Sequence, residues 1–314
     1  MRVYNAEPYG YSVKAIDKWK NKGFAYREGS WEEINAATLF EGVTILIVRL
    51  KQKVDAKVLD KFPDLTHVVS ATTGHDHLDE EAMVQRNVQL VSLRPHTSFL
   101  KTIPSTAEHT WALIMALLRN IPAATQDVLN GKWNRDPFRG FQIKDKTIGI
   151  IGMGRTGQKV SSYAEAFDAQ VVFYDPYVDT YPGANKLDLD TLLETADIIS
   201  MHVHLNEETE YMIGEKEISQ MKNGVFLINT SRGKVWNEEA ISKALGDKVA
   251  GLATDVIGSE LENFQKSPLW RAATNGENVI ITPHIGGATW DAMQSCEEFM
   301  AVNFGRLNKN LDKT

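Results

Sequence analysis

The sequence has almost no cysteine, since Cys296 is the only one among its 314 residues. A lone cysteine excludes an intramolecular disulfide and a cysteine-based zinc site, and it favours a reducing compartment. No uninterrupted apolar run approaches the about 18 residues that span a bilayer, and the N-terminal segment lacks the apolar stretch of a secretory signal. Positive charge is in the minority, with Lys+Arg 34 against Asp+Glu 41. This balance argues against nucleic acid or a membrane surface as a partner.

The remaining composition is that of an ordinary globular protein, with 43% hydrophobic and 24% charged residues. A chain of this length has room for about two domains and a sizeable core. We therefore expect a cytoplasmic protein whose partner is a small molecule.

Six short, apolar segments rich in β-branched residues alternate with stretches of helical length from Thr147 onward. This alternation is typical of successive βαβ units and a parallel sheet. Because the segments are apolar on both faces, they predict a doubly wound sheet that helices cover on both sides. The segments are TIGII (147–151), QVVFY (170–174), DIISMHV (197–203), GVFLINT (224–230), VAGLATDV (249–256) and NVIIT (278–282).

Three similar segments in the first hundred residues predict a second, smaller α/β unit. They are VTILIVRL (43–50), THVVSA (66–71) and VQLVS (89–92 with the flanking Val88). Between the two units, residues 105–121 predict an apolar helix that Ser105 or Thr106 caps, with Glu108 completing a capping box. Such a helix must be buried, either between domains or in a subunit interface, and we expect both. A second long helix is predicted over 288–309.

The segment TIGIIGMGRTGQKV contains the spacing G-x-G-x-x-G at Gly152, Gly154 and Gly157, between a strand and a helix. In this context the first glycine permits the tight turn, the second lets the backbone approach a pyrophosphate, and the third allows close helix packing. Asp175 ends the next strand, where a carboxylate binds ribose hydroxyls and repels a 2′-phosphate. The motif therefore predicts a dinucleotide site that prefers NAD to NADP.

Two histidine pairs have the i, i+2 spacing of strand-borne metal ligands, His75 with His77 and His202 with His204. A metallohydrolase would use such a pair. No matching set of further ligands stands at neighbouring strand ends, and a metal site would leave the glycine turn unexplained. We therefore predict no metal and assign these histidines to strand ends or to the edge of the cofactor site.

Three residues of complementary chemistry each follow a predicted strand: Arg232 in NTSRG, Glu260 in DVIGSE and His284 in PHIGG. Open α/β sheets bind ligands at the carboxyl ends of their strands. An imidazole exchanges a proton with an alcohol or carbonyl oxygen, a carboxylate stabilises the imidazolium, and a guanidinium clamps a carboxylate. Beside a nicotinamide, this trio indicates oxidation of a 2-hydroxy acid.

The chain resembles the D-isomer-specific 2-hydroxyacid dehydrogenase family, and within it the D-3-phosphoglycerate dehydrogenases most. In the family the arginine of SRG binds the 2-oxo acid, the histidine of PHIGG is the acid/base, and the acid after DV supports it, which implies these roles for Arg232, His284 and Glu260. The segments that carry the resemblance are TGHDHLD (with Gly74, Asp76 and Asp79), STAEHTWALIMALLR, GIIGMGRTG, the strand end His202–Val203, MKNGVFLINTSRG, ATDVIGSE and TPHIGG.

The resemblance implies two Rossmann-like domains with a cleft between them. It places residues 1–98 and 285–314 in a substrate-binding lid domain, and residues 99–284 in the NAD-binding domain. The helix over 104–121 would then lie in a homodimer interface. It also predicts further cofactor contacts at Arg155, Thr156, His202, Val203, Thr209, Thr230, Asp255, Gly286 and Gly287.

For the substrate, the resemblance implies that backbone N–H groups of Thr73 and Gly74 bind the carboxylate. Arg49 and Lys51 stand where the phosphoglycerate enzymes carry basic residues for a distal phosphate; a solvated strand end is the equal alternative. His204 stands where the family commonly has a proline, and Thr102 stands where the phosphoglycerate enzymes often have an asparagine. These two differences leave the identity of the substrate undetermined. Hydroxypyruvate/glyoxylate reductases and D-lactate-type enzymes are rival assignments, and an NAD-sensing corepressor-like binding protein is a rival of another class.

Overall fold

The computed structural model describes residues 1–260 and 262–310, the last five of them by their backbone only. The chain forms two compact units. Unit 1 combines Met1–Ile103 with the chain from Ala288 onward, and unit 2 is Pro104–Gly287. The boundaries predicted above lie at 98 and 284. Residues 311–314, which were assigned to the lid domain, lie outside the described residues.

Unit 1 is built on a five-stranded parallel sheet of order β2-β1-β3-β4-β5. Its strands are β1 Arg2–Asn5, β2 Ala25–Glu28, β3 Ile45–Val48, β4 His67–Ser70 and β5 Gln89–Ser92. The helices that alternate with them are α1 Val13–Asn21, α2 Trp31–Ala36, α3 Ala56–Leu59, α4 Glu80–Gln85 and α5 Thr97–Leu100. All four residues of β3 and of β4 are buried, because apolar clusters cover the sheet on both faces.

Unit 2 is built on a seven-stranded parallel sheet of order β12-β11-β10-β9-β6-β7-β8. Its strands are β6 Thr147–Ile151, β7 Gln170–Tyr174, β8 Ala184–Lys186, β9 Ile198–Met201, β10 Val225–Asn229, β11 Val249–Thr254 and β12 Val279–Ile281. Its helices are α6 Ser105–Leu118, α7 Ile121–Leu129, α8 Arg155–Ala166, α9 Leu189–Thr195, α10 Glu215–Gln220, α11 Glu238–Ala244 and α12 Pro268–Thr274. The strand order reverses at β6, which has β7 on one side and β9 on the other; such a switch point is where doubly wound sheets bind ligands.

The structure confirms the predicted fold class of two parallel α/β sheets. All nine predicted strands are present, and three more occur that the sequence pattern did not predict, β1, β2 and β8. Strands β2 and β8 lie at sheet edges, where their residues are mostly exposed and therefore polar. Strand β1 is an inner strand, but its four residues include Arg2 and Asn5, and Asn5 is buried with its amide donating to the hydroxyl of Tyr26 at 2.8 Å.

The predicted capping box of α6 is wrong. Pro104, with φ −89° and ψ −9°, is the N-cap, and no side chain caps the helix within the described part of the chain. Ser105 is therefore the first helical residue and is buried. The helix also ends at Leu118, earlier than predicted, because Asn120 adopts a left-handed conformation with φ 53° before α7 begins.

Helix α6 is buried inside unit 2 itself. Trp111, Ile114 and Leu117 pack into the core formed by β6, β10 and α8. This packing accounts for its buried apolar residues, and the subunit interface stays a prediction. Helix α7, in contrast, has no buried residue, and Leu129 is 75% exposed.

The last helix, α13 Trp290–Asn310, returns the chain to unit 1 and packs against α1. The rings of Trp19 and Phe304 meet edge to face at a centroid distance of 5.0 Å, and Lys22 Nζ donates to the carbonyl oxygen of Val302 at 2.8 Å. Across the described residues, no helix combines the length and the apolar composition that a membrane span requires.

Candidate active site

The glycine-rich turn follows β6, at the switch point of the sheet. Gly152 has a φ of +96°, and a Cβ there would lie 2.6 Å from the carbonyl oxygen of His202. A Cβ at Gly157 would overlap the carbonyl oxygen of Gly152. Both positions therefore require glycine, one for the turn and the other for the close approach of α8 to the end of β6.

Gly154, the middle glycine, faces open space. A Cβ there would meet no atom within 4 Å, and its φ of −76° is open to any residue. Gly154 is also the N-cap of α8, and no side-chain bond caps this helix in the part of the chain that the structure describes. Arg155 and Thr156 lie in the first turn. The N-terminus of a helix beside an open glycine is suited to bind a phosphate.

Asp175 follows β7 and is buried. Its Oδ2 accepts the N–H of Met153 at 2.8 Å, while its Oδ1 accepts the N–H groups of Tyr177 and Val178 at 2.8 and 3.0 Å. It also lines a surface pocket together with Lys186. The carboxylate thus fixes the glycine turn, a task that the sequence did not predict.

The strand end after β9 carries His202 and Val203. Nε2 of His202 is 2.8 Å from Ser200 Oγ, and burial lowers the pKa of His202 to about 3, so the ring is neutral at physiological pH. His204 is exposed, and its carbonyl oxygen accepts the hydroxyl of Thr209 at 2.5 Å. Within the described residues, no three His, Cys, Asp or Glu side chains are grouped so that they could hold a metal.

Arg232 lies in the loop after β10. The amide of Asn229 donates to the carbonyl oxygen of Arg232 at 2.8 Å, and the guanidinium Nη1 donates to the carbonyl oxygen of Ser231 at 2.6 Å. A Cβ at Gly233 would overlap the backbone at 257–258. The loops after β10 and β11 therefore lie against each other, and Gly233 makes this contact possible.

His284 and Glu260 form a hydrogen-bonded pair at the carboxyl ends of β12 and β11. Nδ1 of His284 is 3.0 Å from Oε1 of Glu260, and about a quarter of each side chain is exposed, which leaves the pair accessible. His284 has a left-handed φ of 56°, and its N–H donates to the carbonyl oxygen of Asp255 at 2.9 Å. An imidazole held at Nδ1 by a carboxylate presents Nε2 for proton exchange.

Asp255 holds the loop that carries His284. Its carboxylate accepts the N–H groups of Ile285 and Gly286 at 2.9 and 2.7 Å. It also accepts the hydroxyl of Thr282 at 2.5 Å. His109, on α6, completes the network with Nε2 at 2.9 Å from Thr282 Oγ1 and 3.3 Å from Asp255 Oδ1.

Burial alone would raise the pKa of Asp255, but the hydrogen bonds from His109, Thr282 and the two backbone N–H groups outweigh it and hold the pKa below its usual value. Asp255 is therefore a carboxylate at neutral pH. The sequence did not predict the parts that His109 and Thr282 play, because the two residues lie 173 positions apart and carry no motif spacing.

The other predicted cofactor residues of unit 2 lie at the same strand ends. Thr230 Oγ1 is 2.7 Å from Thr110 Oγ1 and ties the end of β10 to α6. Gly286 is buried, and a Cβ there would lie 3.0 Å from Asp255 Oδ2, whereas Gly287 is exposed and meets nothing within 4 Å.

Comparison with known proteins identifies this arrangement. Residues 111–286 match the family model described as D-isomer specific 2-hydroxyacid dehydrogenase, NAD binding domain. The chain is 34% identical to D-3-phosphoglycerate dehydrogenase of Archaeoglobus fulgidus, over 99% of this chain and 58% of that protein. It is 35% identical to glyoxylate reductase of Thermococcus litoralis, over 83% of this chain and 79% of that protein. The chain belongs to the D-isomer-specific 2-hydroxyacid dehydrogenase family.

A solved structure from Thermus thermophilus has a similar fold, with a TM-score of 0.83, 28% identity and coverage of 99% of this chain and 97% of that one. The resemblance stated from sequence is thus confirmed. The chain spans just over half the length of the Archaeoglobus relative, so it matches one part of that protein.

Unit 2 carries the NAD-binding domain of this dehydrogenase family, and its glycine turn fits the cofactor. The space in front of Gly154 is unfilled by protein, and the N-terminus of α8 beside it has no side-chain cap among the described residues. These are the two features that a pyrophosphate requires of a Rossmann turn.

The family motif TGHDHLD lies in unit 1, after β4. Its Asp79 caps α4 by accepting the N–H of Ala82 at 2.9 Å. The N–H groups of Thr73 and Gly74 donate to no other group in the described part of the chain, whereas the carbonyl oxygen of Thr73 accepts Nε of Arg94 at 3.3 Å.

The two histidines of this motif have local partners. His75 Nδ1 lies 2.8 Å from Glu80 Oε1, and His77 Nε2 lies 3.3 Å from Ser70 Oγ.

Arg49 and Lys51 follow β3, each with an acidic partner. The Arg49 guanidinium pairs with Glu297 of α13, and only 17% of its side chain is exposed. Nζ of Lys51 is 3.5 Å from Glu32, with both side chains exposed.

Proposed function

We propose that this protein is an NAD-dependent D-2-hydroxyacid dehydrogenase that interconverts a 2-oxo acid and its D-2-hydroxy acid. The observation that carries the proposal is the His284–Glu260 pair, 3.0 Å apart, at the carboxyl edge of a family NAD-binding domain. The loop with Arg232 follows β10, the strand beside β11, so the guanidinium lies at the same edge.

In the proposed mechanism, bound NADH supplies the hydride that adds to C2 of the 2-oxo acid. Nε2 of His284 donates a proton to the oxygen as it becomes an alkoxide, and the Glu260 carboxylate stabilises the imidazolium through Nδ1. In the reverse direction, neutral His284 accepts the hydroxyl proton. General acid catalysis of this kind contributes about a hundredfold to ten-thousandfold.

Arg232 is proposed to bind the carboxylate of the 2-oxo acid and to polarise its carbonyl, because a guanidinium is a planar, permanently charged donor. The bond to the Ser231 carbonyl oxygen orients that side chain. In unit 1, the N–H groups of Thr73 and Gly74 are proposed as further ligands of the carboxylate. This assignment is supported by the lack of another acceptor for either group among the described residues.

For the cofactor, the proposal assigns the pyrophosphate to Gly154, Arg155 and Thr156 and the ribose to Asp175. Asp255 and Thr230 are assigned to the nicotinamide end, with His202, Val203, Thr209, Gly286 and Gly287 along the cofactor edge. The charge of Asp175 is the reason to expect NAD rather than NADP.

Two chains are proposed to pair through the predicted helix over 104–121, together with α7 and the loop that follows it. Leu129 and Trp133 are 75% and 89% exposed, and Ile121 and Phe141 expose about half of their surface. Large apolar side chains that are exposed in one chain are typical of a protein–protein interface. A cytoplasmic homodimer is thus part of the proposal.

The test is NADH oxidation by the purified chain with glyoxylate, pyruvate, hydroxypyruvate and 3-phosphohydroxypyruvate. We expect turnover of at least one acid. In the reverse direction, with NAD, we expect oxidation of the D-hydroxy acid but not of its L-enantiomer. His284→Asn should lower kcat by about a hundredfold or more. As a control, His96→Asn removes an imidazole that packs on Phe299, far along the chain from the pair, and should keep native turnover. Turnover of none of the acids would contradict the proposal.

A further inference from the structure

The strand order of the unit 1 sheet reverses between β1 and β3, so this sheet also has a switch point. Arg49 lies at that point, directly after β3. Its Nη1 donates to the carbonyl oxygen of Tyr9 at 2.9 Å, and its Nη2 donates to the carboxylate of Glu297. Its guanidinium lies over the ring of Tyr11 at 5.7 Å. The side chain is thus bound on several sides by the protein itself.

Glu297 depends on Arg49 for its charge balance. Only 1% of the Glu297 side chain is exposed, and its Oε2 accepts the N–H of Ser12 at 2.6 Å. Burial raises the pKa of Glu297, while the Ser12 N–H and the Arg49 charge act in the opposite direction. If Arg49 moved to a ligand, a buried carboxylate would be left without its cation, which is strongly unfavourable.

Two other cations of this edge have acidic partners, while Lys53, two residues after Lys51, is exposed. Lys51 lies 3.5 Å from Glu32, and Arg94, after β5, lies 3.8 Å from Glu80. Glu7 adds a further carboxylate, whose Oε1 accepts the N–H of Arg49 at 3.1 Å. The edge therefore has at least as many carboxylates as cations, and it offers no excess positive charge to a phosphate.

We propose that the substrate carries no anionic group beyond its carboxylate, so that C2 bears only hydrogen or an uncharged carbon substituent in addition to the carboxylate and the reacting oxygen, because the buried pair with Glu297 commits Arg49 to the fold. This inference rests on the proposed function and narrows it. It selects acids such as glyoxylate, pyruvate and hydroxypyruvate over a phosphorylated 2-oxo acid, and it makes Arg49 a structural link between α13 and the loop after β1.

The first test compares hydroxypyruvate with 3-phosphohydroxypyruvate, which differ only in the phosphate, as substrates of the purified full chain with NADH. We expect kcat/KM for hydroxypyruvate to be about tenfold higher or more, because a phosphate that loses water without gaining a cationic partner costs at least that much binding. A smaller difference, or a preference for the phosphorylated acid, would overturn the inference and leave the proposed function intact. Failure of all four acids would instead remove the proposed function, and this inference with it.

The second test is Glu297→Gln, which keeps the size of the side chain and frees the charge of Arg49. We expect it to shift the kcat/KM ratio toward the phosphorylated acid by about tenfold. Glu298→Gln is the matched control, since it removes the same charge from the next residue, which bonds to Ser12 Oγ at 2.9 Å. An equal shift in both variants would mean that net charge, not the pair, sets the ratio, and would refute the assignment. If Glu297→Gln does not fold, the comparison on the native chain still decides.

Discussion

The three glycines of the cofactor turn should respond differently to an added methyl group. In Gly157→Ala the Cβ would overlap the carbonyl oxygen of Gly152 and lie 3.1 Å from Ile150 Cγ2, so backbone and core must shift. Overpacking of this kind costs about 1–3 kcal/mol. For a unit of this size, each kcal/mol lowers Tm by about 2–4 °C.

Gly154→Ala should behave in the opposite way. Its Cβ meets no protein atom within 4 Å and its φ of −76° suits alanine, so an entropic gain of about 0.4–1 kcal/mol offsets the poorer N-cap residue and the free protein should keep its stability. The methyl group nevertheless fills the space assigned to the pyrophosphate. If binding bears the same overpacking cost of about 1–3 kcal/mol, the Kd for NADH rises about 5- to 150-fold.

Urea unfolding of the free protein and fluorescence titration with NADH measure the two quantities separately. Gly305→Ala, in α13, is the control for the general effect of the substitution, because its Cβ also meets nothing within 4 Å and the site lies in unit 1. It should leave NADH affinity unchanged. Native NADH affinity in Gly154→Ala, or a loss of stability equal to that of Gly157→Ala, would refute the reasoning.

Three other substitutions test the site. Glu260→Gln keeps a polar partner for His284 but removes the negative charge of that partner. It should lower kcat by about tenfold or more, a smaller loss than that in His284→Asn. Equal kcat in the native and the variant enzyme would contradict the supporting role of Glu260. Asp175→Asn keeps one acceptor oxygen for the turn and removes the charge, so the kcat/KM ratio of NADPH to NADH should rise, whereas an unchanged ratio would disprove the ribose assignment. His202 has a pKa of about 3 in the folded protein, whereas in the unfolded chain it takes up a proton below about pH 6.5. Because acid therefore favours the unfolded chain, the free energy of unfolding should fall by about 2 kcal/mol between pH 6.5 and 4.5 through this residue alone. The free energy of unfolding of His202→Asn, measured in urea, should not show this decrease. The same pH dependence in the native protein and the variant would contradict the prediction.

The sequence predicted those parts of the fold that depend on local pattern. Strands such as β6 and β10 are buried on both faces, so they are continuous apolar segments and were found within a residue or so of their ends. Edge strands such as β2 and β8 have no such pattern. The cap of α6 was misplaced because Pro104 starts the helix without a side-chain bond, which residue preferences at N-caps do not anticipate.

In the candidate site, too, the sequence predicted the residues of local motifs but not their partners from distant parts of the chain. The glycine turn and the residues after strands β10 to β12 are recognisable because each motif is short and its place at a strand end has a chemical meaning. The partners of these residues are not local. Arg49 and Glu297 are 248 positions apart, and a basic residue at a strand end has the same appearance in sequence whether it binds a ligand or a buried acid.

The return of α13 to unit 1 has a consequence for synthesis on the ribosome. Unit 2 is one continuous segment and can fold as it emerges, but the sheet of unit 1 waits for a helix that begins at Trp290. At about 5–20 residues per second, the nascent chain spends roughly 10–40 s between completing β5 and delivering that helix. During this interval the apolar face around Trp19 and Val91, which later packs on Met300 and Phe304, is uncovered. Unit 1 is therefore begun before unit 2 and completed after it, and its apolar face stays open to other chains in the meantime.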